Sequence, residues 1–125
     1  MLADERDPLT ERIIGRAMAV HRGLGPGLLE NAYHAALAIE LAANNFSSIR
    51  EPTFPAYYRR VKVGEYKPDL IVDDQVVVEI KSVARYDPVF LAKMLTYLRV
   101  TGINVGLIIN FNRPRLSEGI KRVSL

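Results

Sequence analysis

The sequence has no cysteine, and only two of its 125 residues are histidine. Without cysteine the protein can form neither disulfide bonds nor thiolate metal sites. Two histidines also argue against a zinc enzyme of the usual kind, which relies on several imidazole or thiolate ligands. A bound metal ion would therefore require oxygen ligands, and such ligands favour Mg²⁺ or Mn²⁺.

Long apolar runs are also missing, since no segment approaches the roughly 20 residues that a membrane-spanning helix requires. Residues 1–7 are acidic and lack the apolar core of a secretory signal. We therefore expect a cytoplasmic protein that makes no membrane contact. The net charge of +3 is compatible with a polyanionic partner, but it does not by itself identify one.

Three helices are indicated by capping residues and by apolar residues at helical spacing. Asp7-Pro8 is typical of an N-cap followed by a first helical residue, and the glycine-rich run 23–27 should end this helix. A second helix is predicted over about 28–43. A third should begin with Asp87 as its cap and end at Gly102.

Strands are predicted where apolar residues alternate or form short continuous runs. Two such runs flank Asp73-Asp74-Gln75, which indicates antiparallel strands joined by a tight connection. Gly64-Glu65 is interpreted as the turn that leads into this hairpin. Further strands are expected at 57–63, 104–110 and 120–125, whereas the extended segment 49–51 is short and is interrupted by Pro52 and Pro55. The resulting order, α-α-β-β-β-α-β-β, predicts one α/β domain over residues 1–125, with a mixed β-sheet flanked by helices.

The central hairpin carries the residues that could perform chemistry. Side chains alternate across a strand, so Glu79 and Lys81 share one face, about 6.6 Å apart along the backbone. Asp69 lies on the neighbouring strand, and buried charges are costly unless they are paired or bind a metal ion. Asp69 and Glu79 could hold one Mg²⁺, with the Ile80 carbonyl as a further ligand. Lys81 could then orient or deprotonate an attacking water.

These residues also have simpler explanations. Glu79 and Lys81 could form a partly exposed ion pair at a sheet edge. Glu30, taken alone, is a favourable negative charge in the first turn of the second helix. Tyr33, one turn later, would ordinarily be a core residue.

The segment from His21 to Tyr33 resembles the signature of the GxxExxY protein family, with Gly27, Glu30 and Tyr33 at the defining positions. Later motifs similar to that family are Pro68-Asp69, Glu79-x-Lys81, Tyr97-Leu98-x-x-Thr101-Gly102 and the run Val105-Gly106-Leu107-Ile108-Ile109-Asn110-Phe111. The family belongs to the PD-(D/E)xK nuclease superfamily. The resemblance extends from about Leu9 to Val123 and implies a restriction-endonuclease-like core.

The resemblance also implies a role for individual positions. Glu30, Asp69 and Glu79 match the metal-binding carboxylates, and Lys81 matches the catalytic lysine. RecB-like and lambda-exonuclease-like relatives carry a glutamine and a tyrosine one helical turn apart on the next helix. In this chain Tyr97 matches the tyrosine, but lysine replaces the glutamine. The residues assigned to substrate binding are Lys93, Tyr97, Arg85 and Tyr33.

The resulting hypothesis is a nuclease that uses Mg²⁺ or Mn²⁺ to hydrolyse phosphodiester bonds in nucleic acid, with DNA favoured over RNA as the substrate. A homo-oligomer would suit the cleavage of both strands of a duplex. Two alternatives stay open: a catalytically silent module that binds nucleic acid or protein on the same fold, and a small-molecule phosphohydrolase. Basic side chains available for phosphate contacts are Arg59, Arg60, Lys62, Arg85, Arg113, Arg115, Lys121 and Arg122.

Overall fold

The computed structural model describes residues 7–125, and it begins with two helices, α1 (Pro8–Leu24) and α2 (Glu30–Ala43). Most of the segment used to argue against a secretory signal therefore lies outside the described residues. Asp7 caps α1 as predicted, because its carboxylate accepts hydrogen bonds from the Leu9 and Thr10 backbone amides at 3.0 and 3.4 Å. No helix in the described range is both long and apolar enough to cross a membrane.

A mixed five-stranded sheet forms the centre of the molecule. Its strands are β1 (Ser48–Arg50), β4 (Leu70–Val72), β5 (Val76–Lys81), β6 (Val105–Asn110) and β7 (Ile120–Ser124), and they lie side by side in that order. β5 and β6 are parallel, and the other neighbouring pairs are antiparallel. The predicted hairpin is confirmed, since β4 and β5 pair across the Asp73-Asp74-Gln75 connection.

The region before β4 differs from the prediction, because residues 57–63 do not form one strand. The chain instead folds into a separate hairpin of β2 (Phe54–Tyr58) and β3 (Val61–Tyr66), which turns at Arg59-Arg60. Gly64-Glu65, predicted as a turn, lies inside β3. Five strands therefore separate α2 from the next helix, rather than three. The turn was missed because it lacks the asparagine and glycine that usually mark a two-residue loop.

The two faces of the five-stranded sheet are covered by different helices. α1 and α2 bury one face, where Val76, Val78 and Ile80 of β5 join their core. The third helix, α3 (Val89–Thr101), covers the other face and packs around Val77. The predicted alternation along β5 is thus confirmed, and it turns Glu79 toward the α3 side of the sheet.

The beginning of α3 agrees with its predicted cap to within one residue. Asp87 accepts a hydrogen bond from the Val89 amide at 2.9 Å, although the helix itself starts at Val89. Its close packing on β6 depends on Gly106, where an added Cβ would lie 2.4 Å from the Met94 sulfur. A short 3₁₀ helix (Leu116–Gly119), which the sequence did not suggest, leads into β7.

Replacing Gly119 with alanine is expected to destabilise the fold by about 1–3 kcal/mol, because the core there has no room for another carbon. The added Cβ would lie 2.2 Å from the Asn110 carbonyl oxygen, and a backbone atom cannot move aside easily. Urea denaturation measures the effect. The control is Gly15→Ala within α1, where no atom lies within 4 Å and a gain of about 0.5–1 kcal/mol is expected. An unchanged urea midpoint for Gly119→Ala would contradict the packing argument.

Candidate active site

The candidate site lies where the ladder between β4 and β5 ends. Leu70 pairs with Val78, and continuing this register by one residue places Asp69 opposite Glu79. The Asp69 amide donates to Glu79 Oε1 at 2.9 Å, and the Ile80 amide donates to Asp69 Oδ2 at 2.8 Å. Each carboxylate therefore binds a backbone amide of the opposite strand. These two bonds extend the hairpin and fix both side chains.

A contact from α2 holds the same point of the chain. The ring of His34 is 6% exposed, and its Nε2 donates to the Asp69 carbonyl at 3.1 Å. Pro68, which precedes Asp69, is buried and cannot donate a ladder hydrogen bond. β4 therefore begins only after Asp69. The entry to the hairpin is fixed from both sides of the sheet.

Glu79 is the most strongly perturbed carboxylate of the site. It is only 6% exposed, and its pKa is raised from an ordinary value of 4.5 to about 8. Burial is the main cause and the neighbouring Asp69 charge the second, whereas the hydrogen bond from the Asp69 amide and the charges of Lys81 and Lys93 lower the pKa in part. Because two adjacent carboxylates lie where water solvates them poorly, a positive charge bound beside them would favour their ionised forms.

A small pocket between β5 and α3 brings these groups together. Lys81 Nζ lies 4.6 Å from the centre of the Phe90 ring, and Lys93 Nζ lies 5.7 Å from the centre of the Tyr97 ring. Burial, followed by the Glu79 charge, raises the pKa of Tyr97, so its hydroxyl stays protonated. The pocket has a volume of about 10 Å³, enough for roughly one water. Its lining comprises Glu79, Lys81, Phe90, Lys93, Tyr97 and Ile108.

Comparison with known proteins assigns the chain to a family. The family model of the PD-(D/E)XK nuclease superfamily matches residues 7–123. The chain belongs to that superfamily. The predicted fold class is confirmed, because the mixed sheet flanked by helices is consistent with a restriction-endonuclease-like fold. No curated protein and no solved structure matches the chain. Membership of the GxxExxY family stays a prediction.

PD-(D/E)XK nucleases typically use divalent metal ions, and the donor set of this chain fits one in part. Asp69 and Glu79 each use one carboxylate oxygen for a backbone amide. Neither Asp69 Oδ1 nor Glu79 Oε2 takes part in a hydrogen bond with residues 7–125. Two anionic oxygens on adjacent strands are suitable ligands for Mg²⁺ or Mn²⁺. Across residues 7–125, no group of three or more His, Cys, Asp or Glu side chains is placed to hold a metal ion.

Glu30, the predicted third carboxylate, is exposed in the first turn of α2. The chain just before it is tied to the end of β5, since the Ser82 hydroxyl donates to the Leu28 carbonyl. Ser82 directly follows Lys81, so the start of α2 lies beside the site. Glu30 is nevertheless not among the residues that line the pocket. Its metal-binding role stays a prediction.

Tyr33, assigned above to substrate binding, is placed differently. It is fully buried, and its ring stacks on Phe111 with centroids 4.5 Å apart. Its hydroxyl donates to the Gly25 carbonyl and accepts from the Leu28 amide. A side chain without exposed surface cannot contact a substrate in this structure. We therefore correct the assignment: Tyr33 shapes the loop between α1 and α2.

Asn110 is a positioning residue that the sequence analysis did not single out. It is 5% exposed at the end of β6, and its amide bonds both the nitrogen and the oxygen of Val83, at 3.1 and 3.0 Å. Arg113 adds a bond to the Ala84 carbonyl at 3.0 Å. Together they hold the loop that follows Lys81 and carries the exposed Arg85. The sequence does contain one indication of this role, because Asn110 is a polar residue at the end of the otherwise apolar strand β6.

Proposed function

We propose that the protein is a metal-dependent nuclease that hydrolyses phosphodiester bonds, with DNA as the first substrate to test and RNA as the second. The observation that carries the proposal is the interlocked Asp69–Glu79 pair beside Lys81. It combines anionic oxygen ligands, a raised carboxylate pKa and an adjacent ammonium group. Membership of a nuclease superfamily supports this reading of the pair.

The proposed ligands are Asp69, Glu79 and the Ile80 carbonyl, with Glu30 completing the set from α2. A divalent ion bound there would polarise the phosphate and lower the pKa of a bound water. Lys81 orients the attacking water or accepts a proton from it. In its protonated form it also places positive charge near the reacting phosphate. Binding and cleavage would both use residues 1–125 as a single nuclease domain.

Two groups on α3 are proposed to position the substrate. Lys93 is exposed, and its ammonium group lies at the pocket, where it can bind a phosphate oxygen. Tyr97 keeps its proton and can donate a hydrogen bond, although in this structure its hydroxyl donates to the Lys67 carbonyl at 3.5 Å. Arg85 offers a further phosphate contact from the loop after β5.

The decisive experiment is cleavage of labelled single-stranded and duplex DNA, and of RNA, in the presence of Mg²⁺, Mn²⁺ or a chelator. We expect cleavage that requires a metal ion and is lost in Asp69→Asn and Glu79→Gln. Glu118→Gln, an exposed carboxylate on the 3₁₀ helix, is the matched control and should cleave normally. A pure preparation that cuts none of these substrates, or equal activity in Glu79→Gln, would show that the proposal is wrong.

Two observations favour the silent-module alternative. The described residues bring two carboxylates together rather than three, and Lys93 stands where relatives carry glutamine. Under this alternative the chain would bind nucleic acid equally well with a chelator present and would never cleave it. Measuring cleavage with a metal ion and binding with a chelator therefore distinguishes the nuclease from the silent module.

A further inference from the structure

The β2–β3 hairpin (Phe54–Tyr66) forms a two-stranded sheet of its own, outside the five-stranded sheet. Apolar and aromatic side chains of the hairpin remain uncovered. A folded protein ordinarily buries such a concentration of large side chains, so their exposure indicates a binding surface. The exposed members are Tyr57 at 64%, Tyr58 at 68%, Val61 at 64% and Val63 at 64%.

The same hairpin is strongly basic. Arg59, Arg60 and Lys62 are all exposed, and the acidic Glu65 is paired with Lys62. Arg59 and Arg60 form no ion pair with any residue in the range 7–125. The register places Tyr57 beside Lys62 on one face of the hairpin and Tyr58 beside Val61 on the other. Two guanidinium groups without an ion pair in the range 7–125, next to an exposed tyrosine and a lysine, favour a polyanion with aromatic bases over an apolar protein partner.

The turn places both arginines in an unusual conformation. Arg59 and Arg60 have φ values of 49° and 69°, and Tyr58 pairs with Val61 across them. A two-residue turn with positive φ at both positions favours Asn-Gly, because a side chain with a Cβ is strained there. The two guanidinium groups at the hairpin tip are therefore carried by backbone that arginine adopts only with strain. Local strain of this kind points to a functional role.

The base of the hairpin is joined to the candidate active site. Tyr66 packs edge-on against Tyr97, with ring centroids 6.3 Å apart, and Tyr97 in turn lines the site pocket. Asp69 follows Tyr66 by only three residues. At about 3.3 Å per residue the tip can lie up to about 17 Å from Tyr66, which corresponds to about five base steps of a nucleic-acid strand.

We propose that this hairpin is a nucleic-acid-binding arm that holds a single-stranded segment next to the cleavage site. Arg59, Arg60 and Lys62 bind backbone phosphates, Lys62 by exchanging its pair with Glu65, while Tyr57, on the same face as Lys62, stacks on an unpaired base. The identity of the ligand rests on the proposed nuclease function. The binding itself requires neither a metal ion nor cleavage, so it can be tested separately.

The test uses the full chain with a chelator present and measures fluorescence anisotropy of labelled single-stranded and duplex oligonucleotides over a range of salt concentrations. Arg59→Asn combined with Arg60→Gly removes two charges while installing the preferred turn residues, so the variant should melt at or above the wild-type temperature. We expect this variant to bind about tenfold more weakly. The slope of log affinity against log salt concentration should fall by an amount that corresponds to about two phosphate contacts. Tyr57→Ala should weaken single-strand binding by about tenfold and duplex binding by much less.

Arg12→Ala with Arg16→Ala is the matched control. These residues lie on α1, on the opposite face of the sheet from α3, and the pair removes the same charge. The proposal is wrong if the wild type binds no nucleic acid, or if the hairpin variant binds like the wild type or like the control. Equal losses for single strands and duplexes in the tyrosine variant would refute the stacking. If the hairpin variant loses binding and the wild type cuts no substrate, the nuclease proposal is wrong and the binding arm stands. If the hairpin variant binds normally and the wild type does cut, the binding arm is wrong and the nuclease proposal stands.

Discussion

Replacing Lys81 with methionine is expected to reduce the rate of cleavage by about 10²–10⁴-fold at saturating substrate, the contribution of a positioned acid–base group. Lys81 is the only lysine of β5, and its ammonium group shares the pocket with the Glu79 carboxylate. Methionine keeps most of the aliphatic chain, so the change removes the charge, its contact with the Phe90 ring and the proton-accepting nitrogen rather than the fold.

Lys93→Met is the matched comparison, because Lys93 lies at the same pocket but comes from α3 and is exposed. If Lys93 positions phosphate, its loss should raise KM more than it lowers kcat. Single-turnover kinetics on one oligonucleotide, together with circular dichroism of both variants, separates chemistry from binding and folding. Cleavage by Lys81→Met within a few-fold of the wild type would eliminate Lys81 as the catalytic lysine.

The central hairpin could be predicted from sequence because its signals are local. Alternation along β5 placed Glu79 and Lys81 on one face, and the turn residues Asp73 and Asp74 fixed the pairing with β4. Once the register is known, the proximity of Asp69 to Glu79 follows directly. The reciprocal amide–carboxylate bonds needed the three-dimensional structure, since they form just beyond the ladder, where β4 has not yet begun.

Two of the three missed features depend on contacts between residues far apart in the chain. Tyr33 resembled a site residue because of its motif, but its stacking on Phe111 and its bonds to the α1–α2 loop bury it. The Arg59-Arg60 turn carried no turn signal, because binding chemistry rather than backbone preference selects those residues under our proposal. Asn110 acts across 27 positions on Val83, a distance that periodicity cannot register.

Replacing Glu79 with glutamine is expected to stabilise the metal-free protein at neutral and higher pH while abolishing cleavage. Burial raises the pKa of Glu79 from 4.5 to about 8 in the folded state. The folded protein therefore keeps a proton that the unfolded chain releases between these values. The stability of the wild type in a chelator should fall as the pH rises from about 4.5 toward 8, whereas the glutamine of the variant carries no charge to desolvate. At pH 8 the variant should be more stable by roughly 2–4 kcal/mol.

Urea denaturation at a series of pH values measures this slope for the wild type, for Glu79→Gln and for the control Glu118→Gln. The control changes an exposed carboxylate and should keep the wild-type slope.

Adding Mg²⁺ or Mn²⁺ should then stabilise the wild type most strongly near pH 8, since a cation favours the ionised carboxylate. Glu79→Gln should gain little from the metal ion. A flat pH profile for the wild type would mean that Glu79 is not desolvated. A metal response retained by Glu79→Gln would place the ion elsewhere. A burial penalty that disappears only when a metal ion binds is the property expected of a carboxylate kept for catalysis rather than for the fold.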